Sequence, residues 1–167
     1  MLKTRLEHGS DVVTLRSASP KDEPFLARLY ATTREEDLRL MDWDDEQKAA
    51  FCAWQFRLQQ LDYSANYGDA GHWVISRDAV PIGRIWIVER DDCIFVVDIS
   101  LLPEYCAGGV GTLVLQAVFA EGDRMGLPVR LTAFRNNLRA IALFERLGFR
   151  VQEENDVLFF LERPPRA

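Results

Sequence analysis

The stretch DISLLPEYCAGGVGTLVLQAVFAEG, residues 98–122, joins an apolar run to a glycine-rich turn and then to a second apolar segment. In the second segment, apolar residues recur at helical spacing at Val110, Leu113, Val114, Ala117 and Val118. The pattern therefore predicts a strand that turns into an amphipathic helix. Backbone N–H groups at the start of a helix have no intrahelical acceptor, so they can hold a phosphate or a diphosphate.

Two familiar phosphate-binding loops do not match this turn. A P-loop ends in Gly-Lys-Ser/Thr, and residues 105–112, YCAGGVGT, contain no lysine. A dinucleotide-binding fingerprint that starts at Gly109 needs a small residue at position 114, which is valine, and an acidic residue after the next strand, where Phe134 stands. Two interpretations remain: a turn that holds an anion through its backbone, and a tight turn that binds nothing.

The rest of the chain predicts an α+β fold in a single domain over residues 1–167. Strand-like runs occupy seven segments, at residues 12–16, 72–76, 82–89, 94–101, 129–134, 150–154 and 157–162. Helical patterns follow Ser19, Asp44, Gly109 and Asn136. We expect a mixed, mainly antiparallel central sheet of about seven strands, flanked by helices.

The second predicted helix is long and carries an apolar stripe. It begins after Asp44, with Gln47 placed as in a capping box, and it reaches to about residue 64. Apolar residues recur along it at Phe51, Trp54, Leu58, Leu61 and Ala65. A stripe of this kind needs a packing partner, which is either the body of the domain or a second subunit.

Composition argues against several classes of protein. With 48% hydrophobic and 28% charged residues, the chain is typical of a soluble globular protein. The net charge of −6 argues against binding nucleic acid, which needs clustered Lys and Arg. No apolar run approaches the about 20 residues that cross a bilayer, and no apolar signal segment opens the chain. Three cysteines without CxxC spacing indicate reduced thiols, so we expect a cytoplasmic protein.

Two blocks of the sequence resemble the GCN5-related N-acetyltransferase (GNAT) family. Residues 98–122 resemble the family's motif A, in which a strand and Pro-Glu-Tyr precede Arg/Gln-x-x-Gly-x-Gly/Ala at a helix start. Residues 135–149, RNNLRAIALFERLGF, resemble its later block, Asn-x-x-Ala followed by Tyr-x-x-x-Gly-Phe. The two blocks stand in the family's order and spacing. The resemblance implies the acyl-CoA N-acyltransferase fold and acetyl-CoA as the acetyl donor, without a metal.

The resemblance also implies which residues bind the donor. The diphosphate is expected on the backbone amides of Cys106 to Thr112, and the pantetheine arm beside the strand end at Ile99–Leu101, pairing with its backbone like an added strand. Asn137 stands at the position of the family's asparagine, which contacts that arm, and it can also cap the following helix. The expected cofactor-binding set is Ile99, Ser100, Leu101, Cys106, Ala107, Gly108, Gly109, Val110, Gly111, Thr112, Asn137 and Phe144.

Two positions depart from the family pattern. Cys106 stands where the family usually has Arg or Gln. The side chain of that Arg or Gln makes only a supplementary contact with the cofactor, because backbone amides hold the phosphate. A nucleophilic role for Cys106 would need a histidine partner, and the chain has only His8 and His72, neither in a recognisable signature. Phe144 stands where many relatives have a tyrosine that protonates the leaving thiolate. Phenylalanine cannot donate a proton, so either another group does so, with Tyr105, Ser100 or water as candidates, or no acid is needed, since a thiol has a reference pKa of about 8.5.

Three carboxylates are candidates for the base that deprotonates an acceptor amine. Asp98 comes first because it interrupts an apolar run, where an unpaired carboxylate is costly, although a structural ion pair explains it equally. Glu35 and Glu36 come second, in the segment that flanks the acceptor site in the family, and exposed surface charge is their alternative.

The sequence favours an enzyme that transfers an acetyl group from acetyl-CoA to an amine of a small molecule or peptide by direct transfer in a ternary complex. The alternatives are a non-catalytic acyl-CoA-binding or sensing domain and a structural homodimer with a vestigial loop. The acceptor has no recognisable signature in the sequence.

Overall fold

The computed structural model describes residues 1–167 and forms one eight-stranded mixed sheet with four α-helices. The strands are β1 Arg5–His8, β2 Asp11–Ser17, β3 His72–Arg77, β4 Val80–Glu89, β5 Ile94–Leu101, β6 Val129–Phe134, β7 Arg150–Glu154 and β8 Leu158–Arg163. The helices are α1 Glu23–Arg39, α2 Asp45–Tyr67, α3 Val110–Met125 and α4 Leu138–Arg146. The strand order is β1-β2-β3-β4-β5-β6-β8-β7, and only β5 and β6 pair in parallel. The predicted α+β class and mainly antiparallel sheet are confirmed.

The sheet has one strand more than expected, because β1 was missed. β1 pairs with β2 in a hairpin whose two-residue turn contains Gly9 at a φ of 62°. The strand is short and lies at the edge of the sheet, and Leu6 is its one buried residue. A four-residue strand with one buried side chain has too little alternation to stand out in a sequence.

The main hydrophobic core lies between the sheet and helices α3 and α4. α3 packs one face on the sheet, and Val110, Val114 and Val118 are fully buried there. Phe149, also fully buried, contacts Phe119 at 5.6 Å between ring centroids. A smaller cluster joins α1 to α2 and contains Leu26, Tyr30 and Phe56. The pattern that predicted α3 therefore identified the face that builds the core.

The start of α2 is confirmed, but its apolar stripe faces solvent. Asp44 accepts a hydrogen bond from the Gln47 N–H at 2.8 Å, and the Gln47 side chain accepts one from the Asp44 N–H at 3.0 Å, which completes the capping box. The helix buries Cys52 and Phe56, which lie on its other side. The stripe that contains Trp54 is therefore not covered by the body of the protein.

No α-helix of the structure combines the length and the apolar character that crossing a membrane requires.

Candidate functional site

The two parallel strands β5 and β6 separate at the middle of the sheet. They pair only where Ile94, Phe95 and Val96 meet residues 129–131, although β5 continues to Leu101 in contact with β4. An irregularity in the β4–β5 register next to Asp98 coincides with the point of separation. Beyond it, the β6-facing backbone of β5 has no strand partner, so an extended ligand can pair with it as an added strand.

The glycine-rich turn at the end of β5 presents a row of free amides. Six consecutive N–H groups, at residues 107–112, donate to no backbone or side-chain acceptor. The first helical bond of α3 runs from the Leu113 N–H to the Gly109 carbonyl at 3.0 Å, and Gly109 has a φ of 81°. The Cys106 N–H is not part of this row, because it donates to the Pro103 carbonyl at 3.2 Å. Free amides at a helix start can hold an anion, and of the amides of residues 106–112 that the sequence predicts for this role, all except that of Cys106 are free.

A cleft with a volume of about 640 Å³ connects the separated strands with the free amides. Ten expected residues line it: Ile99, Ser100, Leu101, Cys106, Ala107, Gly109, Gly111, Thr112, Asn137 and Phe144. Gly108 and Val110 do not line it, since Gly108 is exposed in the turn and the Val110 side chain is buried in the core. Their N–H groups nevertheless belong to the row of free amides at residues 107–112.

The structure adds cleft residues that the sequence reasoning missed. Arg139 and Arg146 of α4 line the cleft and supply positive charge to it, and Arg139 is close enough to Cys106 to act on the pKa of its thiol. Thr33 of α1 lines it from the other side. His8, at the tip of the β1–β2 hairpin, has its Nε2 only 3.4 Å from the position that a Cβ on Gly109 would occupy. Arg139 follows Asn137 by only two residues, so its position near the cleft could have been predicted from that of Asn137.

The Cys106 thiol is not set up as a nucleophile. Its Sγ lies 3.5 Å from the carbonyl oxygens of Leu101 and Leu102. Burial of the sulfur raises the pKa of the Cys106 thiol, and this effect outweighs the nearby Arg139, which lowers it. The thiolate, which is the reactive form, is therefore disfavoured.

Asn137 and Phe144 both combine a structural contact with a position in the cleft. The Asn137 side chain accepts a hydrogen bond from the Ala140 N–H at 3.2 Å and so caps α4. Phe144 is buried and meets the Phe149 ring edge-on at 5.7 Å between centroids. Asn137 therefore caps α4 and Phe144 packs in the core, and both residues also line the cleft.

Asp98 is held in an ion pair and does not line the cleft. Its Oδ2 accepts from the Nε of Arg84 at 2.7 Å, and the Arg84 side chain is only 4% exposed. The other nitrogens of Arg84 donate to the side chains of Gln60 at 2.7 Å and Gln59 at 2.5 Å. The guanidinium therefore attaches α2 to strands β4 and β5.

Aromatic groups surround this ion pair. The Tyr63 ring lies 5.7 Å from the Arg84 guanidinium, and burial, followed by the Asp98 charge, raises the pKa of Tyr63 to about 12. His72 stacks on Trp86 with 4.0 Å between ring centroids, and its Nε2 has no hydrogen-bond partner. Burial, together with the Arg84 charge, lowers the pKa of His72 to about 4. Tyr63 and His72 are therefore neutral near pH 7.

Glu35 and Glu36, the other two candidate carboxylates, lie on different faces of α1. Glu35 lines a groove of about 560 Å³ between α1 and α2, where Lys48 and Arg39 also lie. Glu36 is exposed, and it follows Thr33 by three residues, so it shares the helix face that meets the cleft. Neither carboxylate lines the cleft itself.

The comparisons with known proteins agree with this geometry. The family model described as "Acetyltransferase (GNAT) family" matches residues 26–149. Comparison with curated proteins gives no significant match. Among solved structures, the chain is similar to a PaiA N-acetyltransferase from Thermoplasma acidophilum in complex with coenzyme A, with a TM-score of 0.68 and 20% identity over 91% of this chain and 98% of that one.

Two further solved structures resemble the chain over most of its length. One is the ribosomal-protein-S18-alanine N-acetyltransferase from Escherichia coli, with a TM-score of 0.62 and 18% identity over 93% of this chain and 96% of that one. The other is Naa50 from Arabidopsis thaliana in complex with a bisubstrate analogue, CoA-Ac-MVNAL, with a TM-score of 0.60 and 15% identity over 90% and 97%. At these identities the likeness establishes a shared fold.

The chain belongs to the GNAT family of acetyltransferases, because the family model covers most of it. Its fold is the acyl-CoA N-acyltransferase fold. Acetyl-CoA, the expected co-substrate, is consistent with that membership.

Proposed function

We propose that the chain is an acetyl-CoA-dependent N-acetyltransferase that passes the acetyl group directly to an amine in a ternary complex. The observation that carries the proposal is the row of six free N–H groups at residues 107–112, beside the unpaired edge of β5. Residues 1–167 act as one domain, and the protein works in the cytoplasm.

The donor binds along the cleft in three sections. The diphosphate rests on the free amides at residues 107–112, and Arg139 and Arg146 add charge-assisted contacts. The pantetheine arm pairs with the backbone of residues 99–101, and Asn137 contacts it from α4. Phe144 packs against it at the inner end of the cleft. When bound, acetyl-CoA supplies an activated thioester.

The acceptor amine enters from the side of α1 and must lose a proton before it attacks. An alkyl ammonium has a reference pKa of about 10.4, so a base or a desolvating pocket has to remove the proton. Glu36 takes this role through a water molecule, because it shares the face of Thr33 at the cleft mouth. Asp98 supports the strand that carries the thioester, since one of its oxygens is bound to Arg84. Glu35 lies in the neighbouring groove beside Arg39 and Lys48 and takes no part in the transfer.

The chain's own backbone and geometry supply the rest of the acceleration. A backbone N–H of β5 near Ile99 stabilises the negative charge that develops on the carbonyl oxygen. Holding donor and acceptor together lowers the entropic part of the barrier. The thiolate leaves without a proton donor, since Phe144 has none to give.

The test is product formation with a panel of amines. Purified protein is incubated with acetyl-CoA and small cationic amines, neutral amines or peptides with free N-termini, and acetylated product is detected by mass spectrometry. We expect at least one amine to be acetylated, and a Gly111→Asp variant to be inactive. Cofactor binding without turnover on any amine would favour the non-catalytic acyl-CoA-binding domain. Protein that binds neither coenzyme A nor its acetyl ester would contradict both proposals.

A further inference from the structure

The β1–β2 hairpin brings a histidine side chain to the glycine-rich turn. His8 is the last residue of β1, and its Nε2 lies 3.4 Å from the position that a Cβ on Gly109 would occupy. Gly109 comes directly before α3 and belongs to the row of free N–H groups at residues 107–112. A side chain from the first strand of the sequence therefore stands beside the amides that the later motif supplies.

The packing of β1 fixes the direction of the His8 side chain. Successive side chains of a strand point to opposite faces, so His8 shares a face with Leu6. Leu6 is buried in the main hydrophobic core, which also contains Val110 of α3, and β1 contacts α3. Arg5 and Glu7, on the other face of the strand, are exposed. Burial of Leu6 therefore holds the His8 ring against the start of α3.

The half-buried His8 ring has no hydrogen-bond partner within the chain. The side-chain hydrogen bond nearest to it in the turn joins Ser10 to Asp11 and does not involve the ring. Asp11, which stands opposite His8 in the hairpin, forms an ion pair with Arg77. The one carboxylate beside the ring is therefore already occupied, and the Nε2 of His8 is free to donate to an oxygen of a ligand.

We propose that His8 is a binding residue for the donor and that its Nε2–H donates to an oxygen of the diphosphate. The inference rests on the proposed donor site at residues 107–112, and it adds a side chain that neither family motif contains. Gly109 lies within the amide row, so the group that the row holds is also the group closest to the ring. A hydrogen bond to a charged phosphate oxygen is stronger than one between neutral groups.

The test is the affinity of the full chain for a set of related probes, measured by calorimetry. Coenzyme A carries the diphosphate and a ribose phosphate, dephospho-coenzyme A carries the diphosphate alone, and pantetheine carries neither. We expect His8→Ala to weaken the binding of coenzyme A and of its dephospho form alike, by about tenfold, and to leave pantetheine unchanged. His8→Gln keeps an N–H donor of similar reach and should stay within about threefold of the native affinity.

The matched control is Arg5→Ala, which removes a cationic side chain from the exposed face of the same strand. It should leave all these affinities unchanged, so a loss confined to His8→Ala reflects a contact rather than net charge. A second readout needs no variant. The chain has only two histidines and His72 is buried, so the ring resonances of His8 can be followed by NMR. They should shift when either diphosphate ligand saturates the native protein, and pantetheine should leave them in place.

Several results would overturn the inference. Native affinity for coenzyme A in His8→Ala, or His8 resonances that do not move at saturation, would show that the ring makes no contact with the donor. A loss for coenzyme A but not for its dephospho form would place the ring at the ribose phosphate. In these cases the native protein still binds coenzyme A, so the proposed enzyme stands without His8. Native protein that binds neither diphosphate ligand contradicts the proposed function as well.

Discussion

Arg84 donates through Nε to Oδ2 of Asp98 at 2.7 Å, across neighbouring strands and beside the point where β5 leaves β6. The guanidinium is nearly inaccessible to solvent, and Gln59 and Gln60 accept from its remaining nitrogens. The sequence singled out Asp98 because a carboxylate in an apolar run needs a partner. The partner is a buried cation, and the pair joins α2 to strand β5, which borders the cleft.

Removing Asp98 should cost more stability than removing an exposed carboxylate. In Asp98→Ala the buried Arg84 charge loses its counter-ion, so we expect a loss of about 3 kcal/mol in the free energy of unfolding, measured with denaturant. The control is Asp37→Ala, which breaks the exposed pair of Arg34 and Asp37 and should change that free energy by less than about 0.5 kcal/mol. Equal effects of the two variants would mean that the Arg84–Asp98 pair has no structural role.

His72 should make the fold less stable in mild acid. Its pKa is about 4 in the folded protein and near 6.5 when unfolded, so the folded state favours the neutral ring. This stability is fully present above about pH 6.5, falls as the pH drops, and is lost by about pH 4. The shift corresponds to a loss of about 3 kcal/mol.

A His72→Phe variant tests this origin, because it keeps an aromatic ring on Trp86 and removes the titrating group. Its unfolding free energy should be nearly flat between pH 6.5 and 4, whatever its absolute value. The carboxylate of Glu121, whose pKa the neighbouring Arg124 lowers to about 2, contributes in a more acidic range. If the unfolding free energy of His72→Phe falls with pH as steeply as that of the native protein, another group causes the acid sensitivity.

Gly111 should tolerate a methyl group and reject a carboxylate. A Cβ at this position would meet Leu101 Cδ1 at 3.6 Å, an ordinary contact. We therefore expect Gly111→Ala to keep coenzyme A affinity within a few-fold. Gly111→Asp should weaken it at least about 100-fold, because a negative charge then faces the diphosphate at close range. Both affinities are measured by calorimetry, and melting temperatures show whether each variant is folded. Tight binding by Gly111→Asp would place the diphosphate elsewhere.

Restoring the family's tyrosine should change little. In the proposed mechanism the thiolate leaves without an acid, so Phe144→Tyr should alter kcat by less than about fivefold at neutral pH. Phe144→Ala serves as the comparison: it opens a cavity beside Phe149 and should cost about 3 kcal/mol of stability. These effects are followed by steady-state rates with any acceptor amine and by thermal melting. A tenfold or larger rise in kcat for Phe144→Tyr would show that proton donation limits the native enzyme.

The parts of the site predicted from the sequence are those encoded by local pattern. The turn from β5 into α3 depends on glycines and helical periodicity within some twenty residues, so the sequence alone predicts Gly109, Gly111 and Thr112, and all three line the cleft. Asn137 and Phe144 followed from a second local block. Ten of the twelve expected cofactor residues line the cleft for this reason.

The parts that were missed depend on contacts between distant segments. The ion pair of Arg84 with Asp98 joins two strands and a helix, and no periodicity in one segment reveals it. The strand β1 has one buried residue and gains its stability from pairing with β2. The sequence predicts the apolar stripe on α2 but not whether the body of the domain covers it. The structure shows that it does not, because Cys52 and Phe56, the buried residues of α2, lie on the other side of the helix.

The most direct test of the account is calorimetric titration of the folded protein with coenzyme A and with acetyl-CoA. The free amides at residues 107–112 and the two cleft arginines predict saturable heat and one site per chain for both ligands. If neither ligand produces heat at millimolar concentration with protein that is pure and folded, the glycine-rich turn does not hold a diphosphate and the proposed function is wrong.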